Sequence, residues 1–150
     1  MILLVHMIFG AAIGSIIKSP ILAIILAFLG HYFLDLIPHV EYQAKNLENK
    51  QWKKALPDIM KVFLDFFCGV ILIFIFSKNY PLVYICGFFA ILPDLLFVAS
   101  EITKINLLKL HDYFHGDNVI HFLKNKKISN FWRILSQIFI VILSIYLLGL

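Results

Sequence analysis

Nine acidic residues and six histidines are the carboxylates and imidazoles this chain has for proton transfer or metal binding. Their spacing is not random. In His31-x-x-x-Asp35-x-x-x-His39 the three side chains follow at i, i+4 and i+8, so they share one face of a helix with modest rotation. The rise from first to last is about 12 Å. One ion could hardly take all three, but two or more adjacent ions could share them with Asp35 in the middle. His111-x-x-x-His115 repeats the i, i+4 pairing. Oxygen and nitrogen donors of this kind hold zinc, manganese or iron in hydrolytic sites. Paired ions about 3.5–4 Å apart activate water and clamp the oxygens of a transferring phosphoryl group.

Each of these residues also has a plain structural reading. His6 can hydrogen-bond across helices, and Asp65 can pair with Lys61, which lies at i−4. Asp94 beside Pro93 can mark a helix end, while His39, Glu41 and His121 can be solvated. Other catalytic schemes have less support. The chain has no GxSxG elbow, Walker A loop or GxGxxG turn. His111-Asp112-Tyr113-Phe114-His115 departs from HExxH at its second position. Bis-histidine haem ligation does not call for Asp35, Asp65 and Asp94. Cys68 and Cys86 sit in apolar runs without CxxC spacing and read as small buried hydrophobes.

The elements that must position these groups follow from composition. Hydrophobic residues make up 61% of the 150 and charged residues only 15%, with mean hydropathy +0.91. Soluble domains carry about 45–50% apolar and about 25% charged residues. Disorder is excluded, and a water-soluble globule is a poor fit. The expected fold is all-α: a polytopic membrane helix bundle forming a single domain. About five spanning helices are expected, over 2–17, 20–38, 57–77, 80–100 and 131–150. Ser19 is placed as the N-cap of the second helix with Pro20 in its first turn. The fourth span is expected to be interrupted near Pro93. Interfacial amphipathic helices are expected over 101–127, which mixes Leu, Ile and Phe with lysines and histidines.

Five spans would put Lys45, Lys50, Lys53, Lys54, Lys61, Lys104, Lys109, Lys124, Lys126, Lys127 and Arg133 on one side, with only Lys18 and Lys78 on the other. The positive-inside rule then places the N-terminus in the cytoplasm of a prokaryotic inner membrane. The net charge of +4 fits topology signals and anionic lipid, with no nucleic acid as partner. On this topology the acids and histidines all fall toward the cytoplasmic side. Ionisable groups at membrane depth mark a functional site by default.

The stretches VHMIFGAAIG, LAFLGHYFLDLIPHVEY and ILPDLL, with the late histidine cluster, resemble the small inner-membrane proteins classed as membrane-bound metal-dependent hydrolases. The resemblance runs from His6 to His121, and His31, Asp35, Pro38 and His39 are its most specific part. A looser similarity is to the all-helical zinc-dependent phospholipase C and nuclease class. What the resemblance implies is a metal-binding role for His6, His31, Asp35, His39, Asp65, Asp94, His111 and His115. Glu41 stands where related sequences often have Asp.

The expected function is a membrane-embedded metal-dependent hydrolase acting on a phosphoester of an amphiphilic lipid. Two or three divalent ions, zinc first and manganese or iron next, would generate a metal-bound hydroxide at the cytoplasmic interface, with Asp35, Asp65 and His115 as the catalytic residues. The expected partners are membrane lipid and a lipid-like substrate. The alternative is a non-catalytic metal-binding protein, or one that transports metal or protons. The roles of Glu41, Glu101, Asp112, Asp117 and His121 and the oligomeric state are left open by the sequence.

Overall fold

A helix that is apolar all round must be enclosed on every side, and the first helix of this chain is. The computed structural model describes residues 2–40, 46, 51–78, 80–103 and 128–150. Five α-helices follow in order: α1 Leu3–Ile16, α2 Pro20–Asp35, α3 Leu56–Phe76, α4 Pro81–Thr103 and α5 Asn130–Gly149. A short 3-10 turn, Trp52–Lys54, leads into α3. No strand occurs among the described residues, as the all-α expectation requires. α1 packs against each of the other four helices. Nine of its 14 residues are buried, against three of 21 in α3. The shortest helix is therefore the core, and the longer ones shield it.

Small residues make that enclosure possible. A Cβ on Gly10 would stand 2.6 Å from the Cys86 carbonyl oxygen of α4, and one on Gly14 would stand 2.9 Å from that of Leu82. Ala23 and Ala27 of α2 pack with Cys86 and Ala90 of α4 in a second fully buried seam. Two small residues four apart on each facing helix let backbones approach closely where lipid supplies no hydrophobic drive.

Contacts at the helix ends show the up-and-down order. The Ser15 hydroxyl, near the end of α1, donates to the Leu147 carbonyl near the end of α5, and Lys78 reaches the Leu150 carbonyl. At the opposite end Ser136 donates to the Pro38 carbonyl and Gln137 to that of Val40. The starts of α1, α3 and α5 and the finishes of α2 and α4 thus share one end of the bundle.

Several expectations need correction. Three helices, not five, are long and apolar enough to cross a membrane: Leu56–Phe76, Pro81–Ala99 and Asn130–Gly149. α1 and α2, at 14 and 16 residues, are about 21 and 24 Å long against a hydrocarbon core of about 30 Å. The Lys18-Ser19-Pro20 break limits both, and α2 stops short of Pro38 because the residue before a proline avoids helical geometry. Ser19 does occupy the N-cap position of α2, but its side chain makes no capping hydrogen bond. α4 runs on through Pro93 to Thr103 without interruption. Cys68 is exposed on α3, while Cys86 is buried as expected. Most of the interfacial segment expected over 101–127 lies outside the described residues.

Candidate metal centre

Three helices each bring a ligand-type side chain to one point. α2 supplies His31 and Asp35, one turn apart on a single face. Their separation is 3.1 Å from His31 Nε2 to Asp35 Oδ2. α1 supplies His6, whose Nε2 lies 3.3 Å from Asp35 Oδ1. α4 supplies Asp94, whose Oδ1 is 3.5 Å from His31 Nε2. The two imidazoles stack with ring centres 4.1 Å apart. His6, His31 and Asp94 each offer a ligand atom within 4.8 Å of the others.

The hydrogen bonds of this cluster bear on whether it could hold a cation. His31 Nδ1 is 2.8 Å from the Ala90 carbonyl oxygen, so that nitrogen carries the proton and donates. A metal-ligating imidazole characteristically spends its second nitrogen this way, which fixes both tautomer and ring orientation. The other nitrogen, Nε2, then faces Asp35 and Asp94 together. A lone pair facing two carboxylates is repulsive, so either a proton or a metal ion belongs between them. His6 makes the case stronger. It is fully buried, and neither ring nitrogen has a hydrogen-bond partner. Its Nε2 meets Asp35 Oδ1 at 3.3 Å, while Nδ1 has no such neighbour. Buried polar atoms are rarely left so, and a metal ion would supply the missing partner.

The three close separations, 3.1, 3.3 and 3.5 Å, are ion-pair distances and engage both oxygens of Asp35. Access is one-sided. The side chains of His6 and His31 are 0% exposed and that of Asp35 is 10%, whereas Asp94 is 33% exposed. Asp94 therefore sits at the mouth of the cluster.

The remaining predicted residues are placed differently. Asp65 of α3 accepts the Leu4 N–H at 3.2 Å, two residues before His6. Lys61 bonds Asp58 at 3.3 Å. His39 is buried just beyond α2, and its Nδ1 lies 2.6 Å from the Ile37 carbonyl oxygen. Glu101 falls within α4. His111, His115, Glu41, Asp112, Asp117 and His121 lie outside the described residues.

Two contributors were not singled out by their chemistry in the sequence. The Ala90 carbonyl orients His31, and Pro93 lies three residues beyond it. Proline lacks the N–H that would bond the carbonyl four residues back, which here is that of Phe89, one residue before the Ala90 carbonyl that holds His31. Gly10 and Gly14 allow α1 to approach α4, and their GxxxG spacing was the available signal. No family model, curated protein or solved structure matches this chain.

Proposed function

We propose that this protein is a membrane-embedded, metal-dependent hydrolase of a lipid phosphoester, with His6, His31 and Asp35 as its metal ligands and Asp94 as its acid–base group. The observation that carries this reading is the partnerless Nδ1 of fully buried His6, whose Nε2 meets only Asp35, beside a His31 whose Nδ1 is held by a backbone carbonyl. A purely structural polar cluster would be expected to satisfy His6. The described donors suit one ion, zinc by donor type. Ligands to a second ion would have to include His111 or His115.

All five helices lie across the bilayer in this proposal, α1 and α2 as short inner spans. Lys18 at their junction reaches the headgroups on one side. The lysine-rich end, with the N-terminus, faces the cytoplasm of a prokaryotic inner membrane. Exposed Phe63, Phe67, Phe74, Phe139 and Ile142 on α3 and α5 then meet lipid, which explains a surface that water would not support. A headgroup can reach the cluster from the interface while its tails stay in hydrocarbon.

A divalent ion here would polarise the phosphoryl group and make water a competent nucleophile at neutral pH. The chain's own residues do the rest. His6, His31 and Asp35 hold the buried side of the site, and Asp94 at its mouth takes the proton that the attacking water gives up. One P–O bond forms to the water oxygen, the ester P–O bond breaks, and Asp94 returns the proton to the departing alkoxide.

The test is metal content by ICP-MS on detergent-purified protein, followed by assay on phospholipids and polyprenyl phosphates with and without EDTA. Stoichiometric zinc with EDTA-sensitive phosphate or headgroup release is the expected result. Zinc without turnover on any of these substrates removes the hydrolase reading and leaves a metal-binding protein of another class. Absence of metal after reconstitution removes both.

A further inference from the structure

We propose that Asp65 is a positioning residue that ties down the first turn of α1 and thereby fixes His6 in the metal centre, acting through the backbone and not as a ligand. This inference rests on the metal-centre reading above. α1 begins without help of its own, because Ile2 at its N-cap offers no side-chain acceptor and its first turn has no acidic residue. The first N–H groups of a helix need acceptors from elsewhere, and lipid provides none. Asp65 of α3 provides one: its Oδ2 accepts the Leu4 N–H at 3.2 Å across 61 residues of sequence, and the Leu3 N–H also bonds this carboxylate. The carboxylate also faces the positive end of the α1 dipole.

A second contact with α3 follows one turn along. Gly69 leaves its Cβ position empty, and a methyl there would stand 3.0 Å from Met7 Sδ. Leu4 and Met7 thus hold α1 against α3 on either side of His6. The His6 ring has no hydrogen bond at either nitrogen. Its position is set by its backbone, by the stack on His31 and by the 3.3 Å approach of Nε2 to Asp35. Loosening the first turn of α1 would move the imidazole directly.

The test is zinc affinity of metal-depleted, detergent-solubilised protein, measured against a competing chelator for wild type, Asp65→Asn, Asp65→Ala, Leu4→Pro, Leu4→Pro/Asp65→Ala and Asp35→Asn. The asparagine keeps an acceptor oxygen in place, so Asp65→Asn should bind zinc within about threefold of wild type. Asp65→Ala should bind about 10–100-fold more weakly, the usual range for losing an outer partner of a metal ligand. Leu4→Pro deletes one of the two donors, in the first turn, where the N–H has no partner within the helix, and leaves that of Leu3. It should weaken zinc binding in the same direction as Asp65→Ala but by less, and the double variant should be no weaker than Asp65→Ala alone. Hydrogen exchange at Val5 and His6 should rise in Asp65→Ala and stay as in wild type in Asp65→Asn.

Asp65→Asn as depleted of zinc as Asp35→Asn makes Asp65 a ligand and overturns the proposal. Wild-type affinity in Asp65→Ala overturns it too. Should Asp65→Ala fail to fold, Leu4→Pro decides, because an unchanged affinity there also rejects the role. Wild-type protein that takes up no zinc defeats the metal-centre reading itself, and this inference with it.

Discussion

His31 is the side chain on which the cluster turns, because it alone touches both carboxylates while anchored to a backbone carbonyl. Asp35 lies within reach of both histidines. Replacing either with alanine should reduce bound metal from about one ion per chain to less than a tenth, with helical content unchanged by circular dichroism. Asp94 is placed for a different part. Its exposed position makes it the partner of the incoming water, so Asp94→Asn should retain the metal, which His6, His31 and Asp35 still hold. Turnover should nevertheless fall by about 10²–10⁴-fold, the usual contribution of a positioned acid–base group. ICP-MS and the lipid assay together read both effects. Equal loss of metal in Asp94→Asn and Asp35→Ala would make Asp94 simply another essential ligand.

At the scale of elements, the site depends on how closely α1, α2 and α4 can approach. His6, His31 and Asp94 come from three helices, and only small residues at the seams bring their backbones near enough. Gly10 is the tightest of these positions. A valine there meets the Cys86 carbonyl, which is rigid backbone and cannot move aside as a side chain would. Gly10→Val should therefore destabilise the bundle by about 1–3 kcal/mol and lower zinc affinity with it, although residue 10 touches no ligand. Thermal unfolding in detergent and the chelator titration measure the two effects. A Gly10→Val protein of wild-type stability and affinity would mean that α1 can slide without consequence.

At the scale of the whole molecule, the cluster is a buried concentration of charge whose balance depends on what occupies it. Removing a bound ion leaves Asp35 and Asp94 facing each other across His31. Binding to the folded state alone stabilises by about 4 kcal/mol when free zinc is at 1,000 times its Kd. EDTA treatment should accordingly lower the unfolding temperature, and zinc should restore it, whereas Asp35→Ala should show no response to either. The orientation has a separate check. Lys18→Cys, in a Cys68→Ser background, should react with a membrane-impermeant maleimide added outside intact cells, and Lys54→Cys should not. The reverse labelling pattern would put the site on the outer face.

The all-helical class and the apolar runs were legible in the sequence, because composition and the 3.6-residue period act locally. The i, i+4 pairing of His31 with Asp35 was legible for the same reason. Span count was not. An apolar run shows that a helix avoids water, but not whether lipid or protein surrounds it, and α1 is surrounded by protein. The continuity of α4 through Pro93 also required the fold, since neighbouring helices hold it in place. Which donors converge was decided by tertiary structure alone. His6 and Asp94 join His31 because Gly10, Gly14, Ala23 and Ala27 permit close packing, while Asp65, equally acidic and in a spanning helix, is drawn to the open N–H of Leu4. Residue type makes a side chain able to bind an ion; only the distance between helices brings enough of them together to do it.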